Sequence, residues 1–161
     1  MVGLDGNVYI IGGYAGSQRA ITDVVEIYQP DTGSTAVSRL SSPRANVAAT
    51  LGPDGRIYVL GGVDAAGDAV ATVEAYGPVV TATPSTAPPG GSVVVTGKNF
   101  AADAIVTLSR LTDGSQTAYT DETGAFSVTL NLSPTTVSGT LIFSAVDNNS
   151  NYPALGQLSV Q

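Results

Sequence analysis

The sequence has no histidine and no cysteine among its 161 residues. Without an imidazole it lacks the base of Ser-His-Asp and Cys-His catalysis and the usual ligand of zinc sites. Without a thiol it has neither a disulfide framework nor a thiolate metal site, and attachment of a c-type haem is excluded. The sequence therefore predicts a protein that is not an enzyme and that has no catalytic, cofactor-binding or metal site.

Charged residues are also scarce, at 12% of the chain, with 13 Asp and Glu against 6 Lys and Arg. This acidic balance repels phosphate backbones and anionic membranes, so nucleic acid is not an expected partner. No run of about 18 apolar residues occurs, so no membrane-spanning helix is predicted. Residues 1–6 have neither the basic nor the apolar part of a signal peptide. A secreted protein would need a signal upstream, and we expect a fragment, a processed product or a misjudged reading frame.

What the sequence does contain is a segment that occurs twice. Asp-Gly-Asn-Val-Tyr-Ile-Ile-Gly-Gly at 5–13 returns as Asp-Gly-Arg-Ile-Tyr-Val-Leu-Gly-Gly at 54–62. Asp-Gly predicts a tight turn, the next four residues predict a strand, and the paired glycines predict a close approach of another backbone. A polar loop is predicted at 14–22, and further strands at 24–28, 35–40, 46–51 and 73–76. Four strands in a period of roughly 50 residues are typical of a β-propeller blade.

Residues 1–78 resemble kelch repeats. The matching features are the Gly-Gly after a strand, Tyr28 and Tyr76, and the Pro-Arg at 43–44 before the next strand. The tryptophan of many kelch repeats is missing. The resemblance implies about two blades of an incomplete propeller, since propellers have about 4–8 blades. Such a piece would be completed by upstream blades or by neighbouring subunits, or would rearrange into a small sheet or sandwich. Two simple glycine-rich hairpin pairs are the alternative interpretation.

Residues 79–161 include a Pro- and Gly-rich stretch at 81–91, near their start, and lack the repeat. Strands are predicted at 79–83, 93–97, 105–110, 116–120, 126–130, 140–146 and 157–160. Short strands at this spacing favour a Greek-key β-sandwich. The segment Pro-Pro-Gly-Gly-Ser-Val-Val-Val-Thr-Gly-Lys-Asn-Phe at 88–100 is similar to the opening of bacterial immunoglobulin-like domains of the IPT type. That resemblance implies that Gly97 permits a bend and that Phe100 fills the bottom of the sandwich. The fold class is thus all-β, with kelch-like blades and an immunoglobulin-like β-sandwich.

Paired carboxylates are the remaining candidates for catalysis, because two of them hydrolyse sugars. Asp64 and Asp68 lie in a loop, and Glu26 and Glu74 lie at equivalent positions of the repeat. We expect solvated or structural roles for both pairs. Some kelch propellers joined to a sandwich resemble galactose oxidase, whose copper site uses Tyr, His and a Cys-linked Tyr. That chemistry does not transfer to a chain without His and Cys.

Oxygen-rich loops occur at 64–68, at Asp121-Glu122 and at Asp147-Asn148-Asn149. None has the spacing of a calcium loop, and turn formation by Asp and Asn explains them. Asn148-Asn149-Ser150 also fits a glycosylation sequon.

The leading functional hypothesis is a structural module of an extracellular or cell-surface assembly, such as a filament, sheath or adhesin. Its partner would be a further copy of itself or another surface protein, joined by strand addition, with residues 1–6 and 155–161 as candidate exchanged strands. The alternative is a carbohydrate- or protein-binding module, the C-terminal part of a longer kelch protein. Its recognition face would be the loops at 14–22 and 63–71, in which Tyr14 is the one aromatic residue.

Overall fold

A computed structural model describes residues 1–111, 114–150 and 152–161, with the side chains of 110 and 111 left out. The fold is all-β. Within that described part there is no helix, and hence none that is long and apolar enough to cross a membrane. The chain divides into two compact units. The first comprises Met1–Gly52 and Ile57–Tyr76, and the second comprises Pro53–Arg56 and Gly77–Gln161.

The first unit consists of short antiparallel strands. They are β1 (Val8–Ile11), β2 (Tyr14–Ala15), β3 (Ala20–Ile21), β4 (Val24–Gln29), β5 (Ser34–Arg39), β6 (Ala48–Leu51), β7 (Ile57–Leu60) and β8 (Val73–Tyr76). They form the sheets β1-β4-β5 and β6-β7-β8 and the hairpin β2-β3. The predicted loop at 14–22 is wrong in part, because Tyr14 pairs with Ile21 in that hairpin.

The two copies of the repeated segment begin with the same turn. Asp5 Oδ1 accepts the N–H of Asn7 at 3.1 Å, and Asp54 Oδ1 accepts the N–H of Arg56 at 3.2 Å. The glycine after each aspartate has a positive φ, which glycine adopts without steric cost. The predicted Asp-Gly turns are therefore confirmed in both copies.

The fourth strand of the sequence period belongs to the sheet of the next copy. β6 pairs with β7, with Leu51 opposite Ile57, because the short turn between them makes the two strands antiparallel neighbours. Val2 has the equivalent place beside Val8 in the first sheet, where Tyr9 N donates to Met1 O at 2.7 Å. In both copies, residues that precede the repeated segment thus pair with its strand, as an isolated bridge in the first and as β6 in the second.

The glycine pairs lie where backbone segments approach each other, as predicted. Gly12 and Gly62 have φ values of +58° and +96°, and a β-carbon on either would collide with a backbone carbonyl. The carbonyls are those of Arg44 and Ala45. Only glycine satisfies both the left-handed φ and the close approach.

The second unit has two sheets that contribute to one core. Its strands are β9 (Val79–Thr83), β10 (Thr86–Ala87), β11 (Ser92–Lys98), β12 (Ile105–Leu111), β13 (Gly114–Tyr119), β14 (Phe126–Asn131), β15 (Gly139–Asp147) and β16 (Pro153–Val160). The sheet orders are β14-β11-β9 and β10-β16-β15-β12-β13. Val93 and Val95 of one sheet and Leu108, Phe143 and Leu158 of the other lie in the same buried cluster. The predicted strands are present, while β10 was missed and β16 is longer than predicted.

Gly97 has a different role from the expected bend. It lies within the regular antiparallel pairing of β11, opposite Phe126. A β-carbon on Gly97 would overlap the Phe126 ring, so the missing side chain makes room for that ring. Phe100 is buried as expected and contacts Phe126 edge to face, with 5.3 Å between the ring centroids.

The two candidate exchange segments already make hydrogen bonds within the chain. Residues 155–161 belong mainly to β16, which pairs with β15 on one side and with β10 on the other. The Met1 amino group donates to Tyr9 O at 2.8 Å, and Val2 bridges to Val8. Within one chain, both segments are therefore paired.

Candidate interaction surface

A buried arginine lies in the segment between β5 and β6. The Arg44 side chain is 2% exposed, and its Nη2 lies 3.6 Å from Glu74 Oε2. Nη1 donates to Thr72 Oγ1 at 3.2 Å, and Nη2 donates to Ser42 Oγ at 2.9 Å. Its Nε has no hydrogen-bond partner among the residues that the structure describes. A guanidinium buried to this extent needs a carboxylate nearby to offset the cost of losing water.

Glu74 accepts hydrogen bonds from the same segment. Ser41 donates its N–H to Oε1 at 2.8 Å and its hydroxyl to Oε2 at 2.7 Å. Both carboxylate oxygens of Glu74 are thus occupied, and the side chain ties β8 to the residues that precede β6. This arrangement gives Glu74 a structural role.

Glu26 has the equivalent position in the first sheet and a different environment. It lies opposite Ile10, as Glu74 lies opposite Val59. Its carboxylate is exposed and makes no hydrogen bond or ion pair within the described part of the chain. Glu26 and Glu74 thus lie on separate sheets and in different environments.

Exposed apolar side chains surround Glu26. Residues directly opposite each other on paired strands share a face of the sheet, and the face alternates along each strand. The pairing therefore places on one face Val2, Val8, Ile10, Glu26, Tyr28 and Val37, which we call the open face. Four of these, Val2, Ile10, Tyr28 and Val37, are large apolar side chains exposed to solvent. Exposed apolar side chains thus lie around the glutamate on this face.

The equivalent face of the second sheet is covered. It carries Ile57, Val59, Glu74 and Tyr76, and we call it the covered face. Val59 is 0% exposed, whereas its counterpart Ile10 is 53% exposed. Tyr76 contacts the Tyr9 ring edge to face, with 5.9 Å between centroids. The same surface of the repeat is thus buried in one copy and open in the other.

The other predicted carboxylates form turns. Asp64 Oδ1 accepts the N–H groups of Ala66 and Asp68 at 2.9 and 3.0 Å. Asp147 is fully buried, and its Oδ1 accepts the N–H of Asn149 at 2.9 Å. Over the described residues, no group of three His, Cys, Asp or Glu side chains could hold a metal ion.

The sequon side chains also take part in the fold. Asn148 Oδ1 accepts the N–H of Ile105 at 2.9 Å, and Ser150 donates its hydroxyl to Asp147 at 2.6 Å. N-glycosylation would modify Asn148 Nδ2 and leave the Oδ1 acceptor of the first hydrogen bond in place.

Asp121 caps the turn between β13 and β14. Its Oδ1 accepts the Thr123 hydroxyl at 2.6 Å and the N–H groups of Thr123 and Ala125. These bonds, foremost the one from the Thr123 hydroxyl, hold the pKa of Asp121 below its usual value.

The aromatic residue of the predicted recognition loops lies at the start of β2. Tyr14 is exposed, and the Arg19 guanidinium lies 5.0 Å from the centre of its ring. Asn46 Nδ2 is 3.5 Å from the Tyr14 hydroxyl. Tyr14 therefore presents an exposed ring with a cation and an amide beside it.

The second unit also contains a cleft of about 360 Å³. Its polar groups include Asp54, Ser85 and Gln157, and Ile142 and Leu155 are among its apolar ones. Asp54 is ion-paired with Arg56 at 2.8 Å. Sequence analysis missed the cleft because residues 53–54 are far in sequence from the strands that complete it.

Comparisons with known proteins give a match to a family model and likenesses among solved structures. The family model described as Kelch motif matches residues 1–34, which supports kelch-type repeats in the first unit. No curated protein matches the chain. Among solved structures, the chain is similar to one described as a novel fungal alcohol oxidase with catalytic diversity among the AA5 family, in complex with copper. The identity is 17% and the TM-score is 0.36, over 99% of this chain and 41% of the oxidase. The chain thus spans less than half of the oxidase's length.

Proposed function

We propose that this chain is a non-catalytic interaction module of an extracellular surface assembly, such as a filament, sheath or adhesin. The observation that carries the proposal is the state of strands β5 and β8 at the edges of the first unit's sheets. In the described part of the chain, each pairs with one neighbour, β5 with β4 and β8 with β7. Val37 on β5 is 64% exposed, and Val73 on β8 is 60% exposed. An unpaired edge with exposed apolar side chains is a template for a strand from another molecule.

The second unit is assigned, as part of this proposal, to the immunoglobulin-like sandwiches. Its strand orders support the assignment, because β16-β15-β12-β13 corresponds to the G-F-C-C′ order of such domains. The strands β9, β11 and β14 then correspond to A, B and E. These modules serve as spacers and adhesive units, which suits a surface assembly, although the fold alone does not determine function. An experimental structure in which β11 paired with β12 would contradict the assignment.

The mass of the purified chain in solution tests the proposed assembly. We expect the mass measured by analytical ultracentrifugation to rise with concentration, and fibres or defined oligomers in negative-stain images. Val37→Lys and Val73→Lys each place a charge on an edge strand and should lower the mass to that of a monomer. Val137→Lys is the matched control, since Val137 is exposed but belongs to the second unit, and it should leave assembly unchanged.

Hydrogen exchange distinguishes strand addition from other contacts. If a strand adds to β5, the outward N–H groups of Ser34–Arg39 should exchange more slowly at high protein concentration than at low. A chain that stays monomeric at every concentration, with fast exchange in β5, would overturn the proposed assembly.

Carbohydrate binding is a second candidate function, and the exposed ring of Tyr14 favours it. An exposed aromatic ring with neighbouring polar groups can stack on a sugar while those groups bind its hydroxyls. Calorimetry with soluble oligosaccharides tests this function. Tyr14→Ala should abolish heat release, whereas Tyr119→Ala, at another exposed tyrosine, should not change it. Equal losses from both variants, or no binding at all, would exclude a site at Tyr14.

A further inference from the structure

The outer edge of β16 has one opening in its hydrogen bonding. β16 pairs with β15 on one side, and the N–H groups of an antiparallel strand alternate between its two sides. On the other side, Leu155 N donates to Asp54 O at 3.0 Å. Ser159 N donates to Ser85 O at 2.9 Å on that same side. Gln157 lies midway, so its N–H and C=O also point there, and none of the described residues accepts the N–H of Gln157.

This opening faces the cleft of about 360 Å³ in the second unit. Residues 80–82 of β9 and residues 155–157 of β16 line the cleft, together with Asp54 and Ser85. From Leu155 to Ser159 the strand advances about 13 Å, at about 3.3 Å per residue. One open residue within that length is too short a template for a strand from another molecule. It suits a compact ligand with one carbonyl acceptor.

The charge of the lining favours a neutral ligand. Asp54 is the one charged residue among the described residues that line the cleft, and its carboxylate is ion-paired with Arg56 at 2.8 Å. An anion would meet this carboxylate without a cation in the lining to offset it, and a cation would find the carboxylate already paired. A charge that leaves water without a partner is strongly unfavourable.

The polar and apolar groups of the lining together suit an acetylated amino sugar. Thr81 and Ser85 have hydroxyls, Gln157 has an amide, and all three residues are exposed. Neutral groups of this kind both donate to sugar hydroxyls and accept from them. A methyl group of the ligand would lose its contact with water against the apolar side chains. These belong to Pro53, Val80, Ala82, Ile142 and Leu155.

We propose that this cleft binds one N-acetylhexosamine unit of a glycan through its acetamido group. The acetamido C=O accepts the N–H of Gln157. Its own N–H points the opposite way in a trans amide, toward β9 and the hydroxyl of Thr81. The ring hydroxyls then meet Ser85 and the Gln157 side chain. A volume of about 360 Å³ is near the lower end of the roughly 300–1,000 Å³ of ligand pockets, which limits the site to about one sugar unit.

This site goes beyond the proposed function, because it lies in the second unit, whereas Tyr14 and the edge strands β5 and β8 lie in the first. A monomeric chain would overturn the proposed assembly and should still bind the sugar. Tyr14→Ala should likewise leave binding at the cleft unchanged, and a loss of binding in that variant would overturn the location of the site.

An NMR titration of the full chain tests the proposal. N-acetylglucosamine or N-acetylgalactosamine should shift the amide signal of Gln157 and the methyl signals of Val80 and Leu155, with saturation. Glucose should bind at least about tenfold more weakly, because it lacks the acetamido hydrogen bond and the buried methyl group. No saturable shift with either acetylated sugar, or equal binding of glucose, would overturn the inference.

Two substitutions at Gln157 separate its backbone from its side chain. Gln157→Pro removes the N–H, and proline is tolerated where that group points away from the ladder. It should abolish the preference for acetylated sugars over glucose. Gln157→Ala retains the N–H and should keep that preference, even if total binding weakens. A preference that survives in both variants would overturn the proposed contact.

A bulky side chain in the cleft provides the test if Gln157→Pro does not fold. Thr81→Tyr should fill the cleft and abolish binding, since Thr81 is exposed and lines it. Thr83→Tyr is the matched control, because Thr83 is exposed on the same strand and outside the lining. Equal binding by the two variants would overturn the location.

A peptide amide is the other source of an acetamido group. N-acetylglycinamide carries this group without a sugar ring, so it should bind at least about tenfold more weakly than N-acetylglucosamine, because the hydroxyl contacts are missing. Equal binding of the two compounds would overturn the assignment to a sugar.

Discussion

Arg44 and Glu74 form an ion pair across the boundary between two copies of a repeat, with 3.6 Å between Nη2 and Oε2. Arg44 lies just before β6, and Glu74 lies in β8. The first copy has the glutamate, Glu26, but nothing in the described chain supplies its arginine. The covered face of the repeat has this ion pair, and the open face does not.

The buried position of Arg44 predicts a large effect of its removal. Arg44→Ala leaves a cavity and takes a cation away from Glu74, so we expect a loss of about 3 kcal/mol in the stability of the first unit. Arg39→Ala is the matched control, because Arg39 is 66% exposed in its ion pair with Asp23 and should cost less than about 1 kcal/mol. Urea unfolding, monitored by hydrogen exchange in β7 and β8, measures the stability loss of each variant. Similar losses would show that the buried ion pair of Arg44 stabilises the unit no more than the exposed ion pair of Arg39.

Substitutions at Gly62 and Gly13 should distinguish the loss of stability caused by a left-handed φ from the loss caused by a steric collision. Their φ values are close, at +96° and +101°, but a β-carbon on Gly62 would lie 2.5 Å from Ala45 O, while Gly13 has open space. Gly13→Ala should cost about 1 kcal/mol from backbone strain alone. Gly62→Ala should cost at least about 2 kcal/mol more, because backbone atoms must move. Thermal unfolding measures the difference, and equal costs would contradict the close approach.

The close contact between Gly97 and Phe126 predicts that a smaller side chain at 126 offsets the destabilising effect of Gly97→Ala. Gly97→Ala places a methyl group on the Phe126 ring and should destabilise the unit by about 2–3 kcal/mol. Phe126→Leu is smaller at that point, so the double variant should be more stable than the sum of the two single effects. The free energies come from urea unfolding of the four chains. Additive losses would mean that the two residues do not compete for space.

The pKa of Asp121 predicts a dependence of stability on pH. Because its hydrogen bonds lower the pKa in the folded state, Asp121 stabilises the second unit above the unfolded pKa of about 3.9. This contribution is lost as the pH falls through the lower pKa of the folded state. Asp121→Asn should therefore destabilise the unit at neutral pH and differ less from the natural chain in acid. A constant difference in stability between Asp121→Asn and the natural chain at every pH would contradict the prediction.

Local features were predictable because neighbouring residues determine them. The turns at Asp5 and Asp54 follow from a carboxylate and a glycine in adjacent positions. The glycine pairs predicted close approach, and the structure supplies the carbonyls of Arg44 and Ala45. The Pro-Arg at 43–44 indicated a resemblance to kelch repeats, but the burial of Arg44 was not predictable from its neighbours in sequence.

Features that depend on distant segments were missed or misjudged. Strand β10 was missed, and it pairs with the distant strand β16. Gly97 was expected to bend the chain, whereas it makes room for Phe126. In each case the outcome depends on which strand lies alongside, and strand pairing joins residues far apart in sequence.

The sequence by itself determined that this protein is all-β, that its first part repeats, and that His- and Cys-based chemistry is absent. These properties follow from composition and from periodicity within a few residues. Only the tertiary structure decided that Glu74 is held by Ser41 and Arg44 while Glu26 is exposed. The two glutamates have nearly the same neighbours in sequence, so their difference comes from what packs against each sheet.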